Sequence, residues 1–174
     1  IDIGAVGKGM AAKSAASALK EADAGEAIIN LGGNVCVIGD KNGEKYKIGI
    51  RDPQSDGLLG YVTVGNTSVV TSGVYERNFE YEGKVYHHIL DTSTGYPADN
   101  GLLSVTVVCD DPVAADALST AFFVTGKTSA EDLFEKCSEY GLKTVIFVSE
   151  GGGVFTVGDK NLFTLAKEGY FFEN

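Results

Sequence analysis

Val85-Tyr86-His87-His88-Ile89-Leu90-Asp91-Thr92-Ser93-Thr94-Gly95-Tyr96-Pro97 is the stretch that decides how this chain folds. Its apolar and aromatic run reads as a strand from Val85 to Leu90. A polar loop and a Gly-Tyr-Pro turn end that strand, and a second apolar strand leads away from Leu102 to Val108. The stretch also holds the only two histidines of the chain. A carboxylate, Asp91, follows His88 by three residues. Reactive groups are common where a strand gives way to a loop, because the strand fixes them and the loop exposes them. Strand alternation puts Tyr86 and His88 on one face and His87 and Ile89 on the other, so one histidine at most faces the cleft beside the turn.

Outward from this stretch the chain alternates short strands with tight turns. Upstream, Tyr75 to Tyr81 reaches the histidine strand through Glu82-Gly83. Tyr61 to Val64 and Ser68 to Thr71 are short strands, and Arg51 to Gly60 reads as a loop. Ala27 to Leu31 reads as a buried strand, and Val35 to Ile38 as another. Asp40-Lys41-Asn42-Gly43 has the Asn-Gly hairpin signature, which predicts that Tyr46 to Ile50 pairs back across it. A glycine-rich turn, Gly4-Ala5-Val6-Gly7-Lys8-Gly9, opens a helix over about Met10 to Glu21. Its small apolar face would be Ala11, Ala15, Ala18, Leu19 and Ala22.

Downstream, Asp111 and Pro112 form a cap and first helical position for a helix to about Val124, stopped by Gly126. Thr128 and Glu131 have capping-box spacing for a third helix, which Gly141 closes. Thr144 to Val148 and Val154 to Val157 are strands. The aromatic tail, Phe163 to Phe172, is an edge-strand candidate. Strands dominate, with three helices between them: an α+β domain built on antiparallel hairpins.

The totals bound the function. With 174 residues and 44% apolar content, the chain suits one domain with a sizeable core. A net charge of -10 and no basic run disfavour nucleic acid as a partner. Cys36, Cys109 and Cys137 are too widely spaced for a zinc knuckle or a CxxC redox site. The chain opens on Ile1-Asp2-Ile3-Gly4, already in a strand-to-helix turn, which suggests a fragment of a longer protein.

Two further clusters carry chemistry. Glycines at 4, 7 and 9 let backbone N–H groups approach a phosphate at a helix start, with Lys8 adding positive charge. A plain packing turn is the commoner use of such glycines. Asp116 and Thr120 lie four residues apart on one helix, so their oxygens point the same way. A carboxylate and a hydroxyl so placed form part of a hard-oxygen shell suited to Mg²⁺. A simple Asp–Thr hydrogen bond on a solvated face is the alternative, but Ala115, Ala117, Leu118, Ala121 and Phe122 around them are apolar.

Five stretches in order carry a resemblance to one family. They are Asp2-Ile3-Gly4-Ala5-Val6-Gly7-Lys8-Gly9, Asn30-Leu31-Gly32-Gly33-Asn34, Thr71-Ser72-Gly73-Val74-Tyr75-Glu76-Arg77, His88 to Pro97, and Ala115-Asp116-Ala117-Leu118-Ser119-Thr120-Ala121. Together they resemble the FAD:protein FMN transferases of the ApbE family, once called thiamine biosynthesis lipoproteins. The resemblance covers nearly the whole chain, which would be a single domain, residues 1–174, from the family's C-terminal portion. It implies a T-fold-related domain with the N-terminal part of the family fold missing.

It also implies a reaction: Mg²⁺-dependent transfer of the FMN half of FAD to a Thr or Ser hydroxyl of a target protein, with AMP as leaving group. By the family's pattern Mg²⁺ sits on Asp116, Thr120 and the Ala5 carbonyl. Asp2, Lys8, Ile89 and Leu90 fall at flavin-nucleotide positions, and His88 is the catalytic candidate. Asp91 would orient either that imidazole or the loop. One departure is clear: the family's usual Asp-Pro-Arg-Thr-Gly reads Asp91-Thr92-Ser93-Thr94-Gly95 here, which removes a positive charge. Two other functions stand beside the transferase. One is an FAD pyrophosphatase, in which water replaces the acceptor. The other is a non-catalytic flavin-binding or flavin-carrying module, since Asp91 to Gly95 faintly resembles an acceptor motif. Family members are often exported and lipid-anchored, which would place this protein at the outer face of a bacterial inner membrane.

Overall fold

The computed structural model describes residues 3–173, and three layers build it. The middle layer is a seven-stranded sheet. Its strands are β1 (Ala27–Asn30), β2 (Asn34–Ile38), β5 (Ser68–Gly73), β8 (Leu102–Cys109), β9 (Leu142–Ser149), β10 (Gly153–Gly158) and β12 (Phe171–Phe172), in that spatial order. Every pairing is antiparallel except β10 with β12. One face carries the helices α1 (Gly7–Glu21), α2 (Pro112–Thr125) and α3 (Ala130–Lys136). The other carries a three-stranded sheet of β11 (Phe163–Leu165), β4 (Leu58–Val64) and β3 (Tyr46–Arg51). A two-stranded hairpin, β6 (Asn78–Tyr81) with β7 (Lys84–His87), stands apart from both sheets.

Strand alternation explains the layers. In β9, Val145 and Phe147 turn to the helices, packing with Phe122 and Phe123 of α2. Ile146 and Val148 turn to the small sheet and meet Ile48, Leu59 and Val62. A strand covered on both faces needs apolar residues at successive positions, and this is why Thr144 to Val148 reads as an unbroken run rather than an alternating one. In β8 the helix-facing residues are Leu102, Val105, Val107 and Cys109. The three-residue step from Leu102 to Val105 is a register shift between Leu102 and Ser104 that restores the alternation.

Several sequence expectations change. Lys41 and Glu44 do close the Asn42-Gly43 turn, but Tyr46 to Ile50 pairs with β4 rather than with β2. The turn carries the chain from one sheet to the other. The histidine strand ends at His87, and Leu90 instead forms an isolated bridge with Pro97. The tail supplies two short strands in two different sheets. Lys127–Ser129 forms a 3₁₀ turn ahead of α3, and Ser129 occupies the cap position with no side-chain cap bond, so the Thr128/Glu131 spacing makes no capping box. β1 is a half-exposed edge strand, with Ile28 open to solvent, rather than a buried one.

The buried face of α1 is Gly9, Ala12 and Ala16 rather than Ala11, Ala15, Ala18 and Ala22; Leu19 alone of the expected residues packs against that core. Alanine lies on every side of this helix, so its period does not choose a face. The close approach at Gly9 does.

Candidate active site

Two helices meet at Gly9. A Cβ there would stand 2.5 Å from the Pro112 carbonyl oxygen and 2.8 Å from Val113 Cα, so only glycine allows α1 to cross α2 at this point. The start of α2 is fixed by Asp111, whose carboxylate accepts the N–H groups of Val113 and Ala114 with Pro112 at the first helical position. Lys13 of α1 closes a 2.6 Å ion pair to the same carboxylate. Burial alone would raise the Asp111 pKa; Lys13 and the two N–H donors outweigh it and hold the carboxyl below the usual range.

Asp116 lies one turn further on and is 4% exposed. Its Oδ2 accepts the Gly9 N–H at 2.7 Å. That bond has a second effect. In a regular helix start the Gly9 N–H would turn back to the carbonyl of residue 5. Here it turns to Asp116, and the Ala5 carbonyl has no hydrogen-bond donor among the described residues. Asp116 Oδ1 likewise has none. The glycine-rich turn and the α2 carboxylate are thereby locked together, with two oxygens left over.

Thr120 is half-buried on the same helix face, and its hydroxyl lies 3.3 Å from Ser72 Oγ. Ser72, at the end of β5, is also 2.8 Å from Ser119 Oγ, which donates to the Asp116 carbonyl. Asp116, Ser119, Thr120 and Ser72 thus form one oxygen-rich row between the central sheet and α2. These donors fit a hard cation: one buried carboxylate, one hydroxyl and one freed carbonyl, all oxygen. Ser72 and Ser119 join the row without being candidates in the sequence, although both lie inside stretches that carry the family resemblance. Their signal was a hydroxyl beside the turn and another at i+3 from the carboxylate.

The histidine loop is held from two sides. The backbone N–H and Nδ1 of His88 both donate to the Arg77 carbonyl, at 3.1 Å and 3.2 Å. A carbonyl can only accept, so Nδ1 carries the proton, and Nε2 is the acceptor nitrogen of this exposed ring in its neutral form. No hydrogen bond or ion pair among the described residues joins Asp91 to either imidazole. Its Oδ1 accepts the Ser93 N–H and hydroxyl at 2.8 Å and 2.7 Å, and these bonds lower its pKa. Of its two possible roles, Asp91 fills the loop-ordering one.

Ile89 has its side chain in the main core, Leu90 is exposed, and Lys8 is half-buried in the first turn of α1. Asp2 lies outside the described residues. No hydrogen bond or ion pair among the described residues joins His88 to the Asp116 row. The Asn30–Asn34 and Thr71–Arg77 motifs do converge. They line a cleft of about 410 Å³ with Arg51, whose guanidinium sits 5.1 Å from the centre of the Tyr75 ring.

A fold and a site of this make define a class. The ApbE family model matches residues 1–146, and the chain belongs to that family. It is 44% identical over 128 residues to an FAD:protein FMN transferase of Klebsiella pneumoniae, an alignment covering 72% of this chain and 39% of that protein. It is 34% identical over 172 residues to one of Rhodobacter capsulatus, covering 98% and 32%. Among solved structures, the ApbE protein of Thermotoga maritima superposes with a TM-score of 0.81 at 37% identity, covering 92% of this chain and 52% of that one. The apo flavinyl transferase ApbE of Pseudomonas stutzeri gives 0.72 at 30% identity, covering 94% and 51%. The chain therefore spans between a third and a half of the length of these relatives.

Proposed function

We propose that this chain carries the metal-binding and acid–base part of an FAD:protein FMN transferase. FAD is the donor, the acceptor is a Thr or Ser hydroxyl on a second protein, and AMP is the leaving group. The observation that carries this reading is the Gly9 N–H bond to Asp116. It draws the glycine-rich turn onto the α2 carboxylate and leaves the Ala5 carbonyl without a donor among the described residues. Asp116, Thr120 and the Ala5 carbonyl would hold Mg²⁺. When bound, Mg²⁺ supplies charge neutralisation for the FAD pyrophosphate and for the departing phosphate.

The chain's own residues do the rest. The amide-rich turn at 4–9 and Lys8 favour phosphate at a helix start. His88 is the base. Its Nε2 accepts the proton of the acceptor hydroxyl as that oxygen attacks the phosphorus of the FMN half and the bond to the AMP phosphate breaks. Asp91 keeps the loop around His88 folded.

The test is incubation of the protein with FAD and Mg²⁺, with and without acceptor protein. AMP should appear together with flavin that stays on the acceptor after denaturation. AMP with only free FMN would mark a pyrophosphatase. No AMP under any metal condition would mark a flavin-binding module.

A further inference from the structure

We infer that His87 is a positioning residue. Through its bond to the Ala98 carbonyl and its edge contact with Phe123, it fixes the 88–98 loop, and His88 with it, against the helix that bears Asp116 and Thr120. The inference rests on the proposed function in one respect: it takes His88 and α2 to be two halves of a single site.

His87 is the last residue of β7 and is half-buried. Its Nε2 lies 3.2 Å from the Ala98 carbonyl oxygen, to which it must donate. Ala98 in turn donates its N–H to the Ile89 carbonyl, and the Asp91 N–H bonds to the Tyr96 carbonyl. The loop is thus a closed ring of bonds with His87 tied to its far side. The His87 ring meets Phe123 of α2 edge-on, with centroids 5.7 Å apart. Phe123 is fully buried, and its carbonyl, one of the last four of the helix, accepts Asn100 Nδ2 at 2.6 Å. Thr120, one helical turn before, belongs to the Asp116 row. His87 and Asn100 are therefore polar and ring contacts by which the histidine loop rests on α2, beside the Ile89 and Ala98 side chains buried in the core that α2 shares.

The tautomer gives this clamp a chemical signature. With the proton on Nε2, Nδ1 is a lone acceptor, and it is buried without a hydrogen-bond partner. Protonating it would bury a charge with nothing to receive it. Burial lowers the His87 pKa, the Ala98 bond opposes this, and the charged groups acting on the ring are His88 and Asp99. The residue packed on it from α2 is Phe123, and its strand partner is Asn78, neither of them charged. The clamp is thus complete with neutral His87 and is released as pH falls below the ordinary histidine range.

The experiment compares His87→Gln and His87→Leu in the intact protein. Gln places an amide N–H near the position of Nε2, whereas Leu fills space without a donor. Hydrogen exchange of the Ala98, Asp91 and Gly95 amides reports on the loop and needs no FAD. FMN transfer reports on the site. His87→Leu should lose about 5- to 10-fold in protection and in kcat, the effect of one hydrogen bond, with KM for FAD unchanged. His87→Gln should recover both. In the unaltered protein, lowering the pH from about 7 to about 5 should reduce protection at Ala98 but not in β8, and His87→Gln should abolish that response. Wild-type protection in His87→Leu, equal losses in both variants, or a loop indifferent to pH would each overturn the inference. If His87→Leu does not fold, the pH comparison of His87→Gln with the unaltered protein decides alone. If the exchange behaves as expected while the unaltered protein transfers no FMN, the clamp stands and the transferase reading falls.

Discussion

His87 and His88 are adjacent and chemically the same, yet two carbonyl oxygens hold them in opposite tautomers. The Arg77 carbonyl accepts the Nδ1–H of His88 and leaves Nε2 free on an exposed ring. The Ala98 carbonyl accepts the Nε2–H of His87 and leaves Nδ1 buried. This difference makes one a base and the other a clamp. Replacing His88 by Ala should lower FMN transfer by about 10²–10⁴-fold, the share general-base catalysis usually supplies, with a far smaller effect on thermal stability, because the ring is exposed and the backbone N–H bond to Arg77 is kept. Asp116 calls for a different pair of measurements. Asp116→Asn keeps the shape and an acceptor for the Gly9 N–H but removes the charge a cation needs. We expect Mg²⁺-dependent FAD cleavage to be lost with the fold intact by circular dichroism. Full activity at the same Mg²⁺ requirement would show that the Asp116 row is structural. Ser72→Ala should give a milder loss, read as a higher Mg²⁺ requirement, because its hydroxyl orients Thr120 rather than carrying charge.

At the scale of elements, the crossing of α1 and α2 does the assembling. Gly9→Ala would drive a methyl into the Pro112 carbonyl and Val113. Overpacking of this kind costs about 1–3 kcal/mol. Because α1 must move to relieve it, the Gly9–Asp116 bond should break as well. The variant should show a lowered Tm together with a greater proportional loss of Mg²⁺-dependent activity than Ala12→Gly, which loosens α1 at Ala12, a buried residue one turn further along that is not bonded to Asp116. Equal losses in the two would mean that the crossing matters only for stability.

Much of this was legible in the sequence. The Asp111-Pro112 start and Gly126 stop gave α2 nearly to the residue, and the spacing of Asp116 and Thr120 gave their common face. Illegible were the contacts that only the third dimension makes. The alanines of α1 fit several faces equally, and one backbone contact selects among them. The Asn42-Gly43 turn is real, but a turn signal does not say which sheet the next strand joins. His87 looked idle because alternation turns it from His88, and nothing local points to Ala98 eleven residues on or to Phe123 on a distant helix.

For the whole molecule, the question is what holds the three layers in register so that α2 and the histidine loop keep their places. A buried carboxylate after β3 of the small sheet does this. Asp52 is 2% exposed and follows β3 in the small sheet. It accepts bonds from the Gln54 N–H, the Ser55 hydroxyl and the Tyr170 hydroxyl, the last at 2.5 Å, and Lys167 lies 3.4 Å away. Tyr170 directly precedes β12, the edge strand of the large sheet, so one carboxylate ties the small sheet to the rim of the large one.

Burial by itself would raise the Asp52 pKa; the bonds from Tyr170, Ser55, Gln54 and Lys167 reverse this and hold it well below the carboxylate range. Burial and the same contact push Tyr170 up to about 12. A carboxylate whose pKa is lower folded than unfolded contributes its full stability above its unfolded value of about 3.9, and loses it as pH falls below that toward the folded value. Asp52→Asn should therefore cost about 1.5–3 kcal/mol at neutral pH, the range for hydrogen bonds to a charged group. The gap between variant and unaltered protein should narrow as urea unfolding is repeated at about pH 4, 3 and 2. Tyr170→Phe removes one of the donors and should show a smaller form of the same pH dependence. A gap that stays constant across this range would mean that the ionised form of Asp52 is not what joins the layers.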